Sequence, residues 1–166
     1  MSLEIIKRLG LFFVLCVVQV LVLYHIHLFD VAIPLLYIYF VITFHRNFPI
    51  WALLLWSFAL GLAIDVFSNT PGLAAGTMTL IAVIQPYLLE LFIPKDSIEE
   101  LKVSVATLGW GKFTMFSGIL IAIYCLVFFA LEAFSLFNLV RWVECFVCSS
   151  LLTLVLILAI ESVRSK

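Results

Sequence analysis

The chain has 166 residues, of which 66% are hydrophobic and 11% charged, with a formal net charge of -1. This composition excludes an ordinary soluble domain, and at about 20 apolar residues per crossing it leaves room for several membrane spans and short connections, not for a separate catalytic domain. So few charges also give a nucleic acid no surface to bind.

The first apolar window, Leu9 to Tyr24, follows Lys7 and Arg8 as a signal peptide would. The His-Ile-His-Leu-Phe-Asp stretch after it offers no small-residue cleavage site, so it reads as a retained anchor. His25, His27 and Asp30 have metal-ligand spacing. They sit at a helix exit without a fourth ligand, and interfacial solvation is the simpler reading. The second window, Ile33 to Phe44, is short for a full crossing. It must thin the bilayer, borrow Val31 and His45, or be sheltered by its neighbours. Asp30 is placed to cap it, with Pro34 in its first turn.

The third and fourth windows, Trp51 to Phe67 and Gly72 to Ile93, form a tight hairpin. Ser57, Gly61 and Asp65 are four apart and share a helix face, while Gly72 and Gly76 make a small-x-x-x-small pair opening the next span. This pattern predicts close backbone approach. Ser68, Asn69 and Thr70 lie within reach of the Asp65 carboxylate, and Pro71 ends the turn. An ionisable group in a span is a site hypothesis by default, so Asp65 either organises the turn or binds a cation, proton or polar substrate from the outer side. Further along, Pro86 frees the carbonyl of Ala82 and predicts a kink, with Glu90 one turn later; packing is the favoured role.

The connection from Pro94 to Lys112 carries a capping box, Ser97 to Glu100, followed by Ile98, Leu101, Val105 and Leu108 at helical spacing. It reads either as a short helix on the membrane surface or as an early start of the fifth span. The last two windows are Phe113 to Leu131 and Leu139 to Ile160. Glu132, Asn138, Arg141 and Glu144 gather at their outer end, where Arg141 and Glu144 are spaced for an ion pair. They form either an outward-facing pocket or partner contact, or a lid of charges at headgroup level. Cys145 and Cys148 invite a thiol-redox reading, but Cys16 and Cys125 lie in mid-helix settings and supply no second reactive pair; small core residues is the reading kept.

With the N-terminus inside, Lys7, Arg8, Arg46, Lys95, Lys102, Lys112, Arg164 and Lys166 fall on the cytoplasmic side and Arg141 alone outside. The expectation is an all-α bundle of six spans forming one transmembrane domain over residues 1–166, with both termini cytoplasmic. No Gly-rich phosphate loop, His-Glu-x-x-His or Gly-x-Ser-x-Gly occurs, and the chain reads as a non-enzyme without cofactor or metal.

The hairpin pattern Gly61, Asp65 and Gly72, with a basic N-terminus, apolar helices throughout, a short connection after the fourth span and a basic C-terminal end, resembles the rod shape-determining MreD family. The topology covers nearly the whole chain, the motif about a dozen residues. The resemblance implies a multi-pass protein of the bacterial inner membrane that binds MreC. Through MreC it would act with MreB, RodA and the elongation transpeptidase to organise side-wall peptidoglycan synthesis and cell shape. It also implies a fold like that of the substrate-binding S components of energy-coupling factor transporters, which keeps a vitamin-like transport role open as the alternative. No catalytic residue carries over. Gly61, Asp65 and Gly72 carry over as packing or interface residues.

Overall fold

In lipid a backbone can satisfy its N–H and C=O groups only within a helix or a closed barrel, so apolar runs of this length must become helices. The computed structural model, which describes residues 2–23, 34–45, 47–93, 103–132 and 139–164, is helical, with no strand among those residues. Helix α1 (Ser2–Val18) passes into a π-helical turn, Gln19–Leu23. Then follow α2 (Ile38–Ile42), α3 (Ile50–Ser68), α4 (Leu73–Phe92), α5 (Val105–Leu108), α6 (Trp110–Glu132) and α7 (Leu139–Arg164).

Among the described residues four helices, α3, α4, α6 and the Trp142–Arg164 stretch of α7, are long and apolar enough to cross a membrane. Their outward faces fit that solvent. On α3 the exposed residues include Trp51, Leu55, Leu62 and Val66, and on α7 Val147, Leu151 and Val155. Contiguous apolar faces on this scale are untenable in water and ordinary against acyl chains. The most extensive pairing is α3 on α4, followed by α6 with α7 and with α4.

Two windows differ from the sequence reading. Helix α1 begins at Ser2, not Leu9, and so includes Lys7 and Arg8. Both are good helix formers whose long stems run along apolar surface while the charge reaches water. Among the described residues of the second window Ile38–Ile42 alone is α-helical, and its residues are buried on all sides. From Pro34 to Phe44 every residue except the half-buried Thr43 is buried. This segment is the centre of the bundle, sheltered by its neighbours.

Its path is antiparallel to α1. Gln19 bonds the backbone of Pro34 and Leu36, and Arg8 bonds His45. The 11 residue steps from Arg8 to Gln19 rise about 16 Å, roughly half of a 30 Å hydrocarbon core. Helix α5 is separated from α6 by Gly109, whose φ of +83° is a conformation that glycine tolerates and other residues resist. A capping box closes α5 at Ser104 and Thr107. The box expected at Ser97 and Glu100 lies outside the described residues, as do His25, His27, Asp30, Arg46, Lys95, Lys102, Asn138 and Lys166. Helix α4 runs unbroken across Pro86, with Glu90 exposed.

Candidate functional site

The α3–α4 hairpin is closed from inside by Asp65. Its carboxylate accepts the backbone N–H of Ala74 at 2.8 Å, that of Ala75 at 2.9 Å and the Thr70 hydroxyl at 3.1 Å. A helix start leaves its first N–H groups without partners, and the residue at the N-cap of α4 is Gly72, which has no side chain to offer. Asp65 supplies the cap from the neighbouring helix. Asn69, in the left-handed conformation at φ 56°, and Thr70 both return their N–H to the Asp65 carbonyl. Gly72, at φ +84°, then turns the chain into α4.

The close approach is made by Gly61. A Cβ there would lie 2.6 Å from Ala75 Cα and 2.7 Å from both Ala74 O and Ala75 N, all backbone atoms. This corrects the expectation that Gly72 and Gly76 form the small pair at the contact. A Cβ at either would meet nothing within 4 Å, and both are exposed. Glycines four apart share a helix face, but only the tertiary packing selects which face meets α3. Ser57, one turn before Gly61, is fully buried, and its Oγ has no hydrogen-bond partner. It acts as a small side chain at the seam. Pro71 is exposed in the turn.

Asp65→Ala should destabilise the detergent-solubilised protein by about 2 kcal/mol, because two N–H groups lose their acceptor where water cannot replace it. Asp65→Asn, which keeps one carbonyl oxygen, should cost about half as much. Thermal unfolding followed by circular dichroism reads the difference.

A polar line continues into the core. Thr77 returns its hydroxyl to Leu73 O at 2.8 Å and Ala74 O at 3.1 Å and lies 3.3 Å from the Tyr124 hydroxyl. Tyr124 in turn is hydrogen-bonded to Tyr37. Within segment 34–45 helix and turn bonds serve the N–H groups of Ile38 to Phe44, and side chains on the π turn, α4 and α7 hold the rest. Gln19 donates Nε2–H to Pro34 O at 2.8 Å and accepts Leu36 N–H at 3.1 Å. Leu35 N–H donates to Thr153 Oγ1 at 3.1 Å, and Gln85 reaches Phe44 O at 3.3 Å. Tyr39 donates to Glu161 at 2.6 Å, and Glu161 also accepts the N–H of Val105 at 3.2 Å. Irregular backbone survives at membrane depth only when buried and paired, and these bonds complete at the two ends what the turns inside the segment begin.

Sequence reasoning gave no role to Gln19, Gln85, Thr153 or Glu161. A signal was present: Gln19 is the one amide inside the first apolar window, and Glu161 stands one residue beyond the last. What they bond is set 15 to 122 residues away.

At the opposite end of the bundle from Arg8 and Arg164, a cavity of about 380 Å³ is lined by Thr70, Pro71, Gly72, Leu73, Leu131 and Glu132. The hairpin turn and Glu132 therefore meet there, while the Asp65 carboxylate is turned inward to cap α4. Glu144 is exposed. Asn138 and the side chain of Arg141, and with them the expected Arg141–Glu144 pair, lie outside the described residues. Cys145 is half-buried and Cys148 exposed, and Cys16 and Cys125 are buried. Among the described residues no three His, Cys, Asp or Glu side chains lie together as metal ligands would.

No family model, curated protein or solved structure matches the chain.

Proposed function

We propose that this protein is a non-enzymatic membrane scaffold of the MreD type. In this reading it crosses the bacterial inner membrane six times with both ends in the cytoplasm. The six crossings are α1 with its π turn, the sheltered segment around α2, then α3, α4, α6 and α7. The scaffold binds MreC and, through it, helps to organise MreB, RodA and the elongation transpeptidase during side-wall peptidoglycan synthesis.

The observation that carries the reading is the hairpin on which the resemblance rests. Gly61 permits the backbone contact, Asp65 caps α4 and Gly72 takes the left-handed turn, so each residue of the pattern has a separate mechanical role. The interior supports it too: the central polar groups named above are spent on one another and on backbone, as suits a rigid body presenting its outer surfaces to partners. The outward face of α4 opens with Gly72 and Gly76 and continues through Leu80, Val83 and Tyr87. Small residues at its start let a partner helix approach closely.

The test is co-purification with MreC in mild detergent. Gly76→Leu fills open space and leaves the hairpin intact, so it should abolish recovery of MreC without lowering the thermal midpoint. Undiminished recovery with this variant would remove the α4 face as the interface, and no recovery with the unaltered chain would remove the MreD reading. A second reading, the S component of a small-molecule transporter, draws on the cavity beside Glu132. Its signature is a small molecule retained through purification and identified by mass spectrometry.

A further inference from the structure

A second cavity, of about 300 Å³, opens between α1 and α7 at the end of the bundle where the basic residues collect. Three cations line it, Lys7 and Arg8 from α1 and Arg164 from the last turn of α7. Among the described residues that line it none is acidic. Glu161 stands behind the wall, buried, 3.8 Å from Arg164.

Lys7, Arg8 and Arg164 bring charged donors to this cavity. Tyr39 and Thr43 also line it, but their hydroxyl protons go to Glu161 and to Phe40 O. Arg8 is held in place, its guanidinium 4.3 Å over the Phe44 ring and 4.4 Å over that of Phe48, with His45 Nδ1 at 2.9 Å. A guanidinium fixed between aromatic rings is pre-organised for an acceptor-only oxyanion.

The cavity also has depth. One helical turn farther into the bundle its walls become apolar: Leu11 follows Lys7 and Arg8 on α1, and Ile160 precedes Arg164 on α7. Cationic rim and apolar floor, in that order from the bundle end inward, match an oxyanion joined to a hydrocarbon chain. Inorganic phosphate would be served by the rim alone.

We infer that this cavity is a phosphate site that holds the headgroup of an anionic phospholipid from the adjacent leaflet, with Lys7, Arg8 and Arg164 on the phosphate and the start of an acyl chain against Leu11 and Ile160. The lipid ties α1 to α7 at the membrane surface. The inference rests on the membrane-spanning nature of the chain and is independent of MreC.

Native mass spectrometry of the full chain in detergent tests it, with phosphatidylglycerol or phosphatidylcholine added in parallel and inorganic phosphate as a competing arm. The expected result is one retained phosphatidylglycerol, in preference to phosphatidylcholine, unaffected by inorganic phosphate. Lys7→Gln should weaken retention roughly fivefold, the worth of one basic side chain near an anionic surface. Leu11→Trp fills the floor without altering any charge and should abolish the retained species. Equal retention of phosphatidylcholine would overturn the inference, and so would retention that both variants, shown to be folded by circular dichroism, leave unchanged. Displacement of the lipid by inorganic phosphate would overturn the lipid as occupant and make this a site for the free anion.

Discussion

Gly61→Leu should cost upward of about 3 kcal/mol in detergent, the largest effect expected of any single substitution in the hairpin. The added Cβ alone would sit 2.6 Å from Ala75 Cα, and the neighbouring atoms at 2.7 Å are also backbone, so no side chain can rotate away. The helices must separate. The damage does not stay at Gly61, because the α4 residues it touches, Ala74 and Ala75, are the two whose N–H groups Asp65 accepts. Moving α4 outward stretches both bonds and uncaps the helix. The double variant Gly61→Leu/Asp65→Ala should therefore lose less than the sum of the two single losses, by roughly 1–2 kcal/mol. Additive losses in thermal or denaturant unfolding would show that the contact and the cap are independent.

The second large effect is expected at Gln19. Gln19→Leu keeps the approximate size of the side chain and removes both partners of the 34–36 backbone, the acceptor for Leu36 N–H and the donor to Pro34 O. Neither group has helix bonds to fall back on, and Gln19 itself is buried. The cost should be about 3 kcal/mol, at the upper end for hydrogen bonds between membrane helices because two orphaned backbone groups are created at once. Gln19→Glu, isosteric and still an acceptor, should preserve the bond from Leu36 and lose the one to Pro34, with about half the effect. Protection of the Leu36 amide in hydrogen-exchange mass spectrometry separates the two: it should collapse in Gln19→Leu and persist in Gln19→Glu.

These two predictions draw on unequal amounts of sequence information. The hairpin was legible because its devices are local. A carboxylate, a run of turn-forming residues and glycines within a dozen positions restrict the backbone whatever surrounds them. Even so, the pattern paired the Gly61 face with Gly72 and Gly76, and the structure sets Gly61 against Ala74 and Ala75 instead. Which face of a helix meets its neighbour depends on rotation about the helix axis, and an almost uniformly apolar helix has no moment to reveal it. The pairing of the central segment with its partners was not legible. Tyr37, Tyr39, Thr153 and Glu161 look in sequence like members of apolar spans or of a basic tail, and their roles follow from partners as far as 122 residues away.

Composition and the backbone's need for internal hydrogen bonds determined, by themselves, that this chain is a helical membrane protein with the long helices α3, α4, α6 and α7. Tertiary structure decided what the short second window becomes: a buried segment with five α-helical residues among those described, its end backbone paired by Gln19, Thr153 and Gln85 and its Tyr39 hydroxyl by Glu161. The physical reason is the same rule acting at two ranges. A helix satisfies its own backbone and so can be read locally, whereas a non-helical segment in a membrane must borrow its partners, and only the assembled bundle brings them within reach.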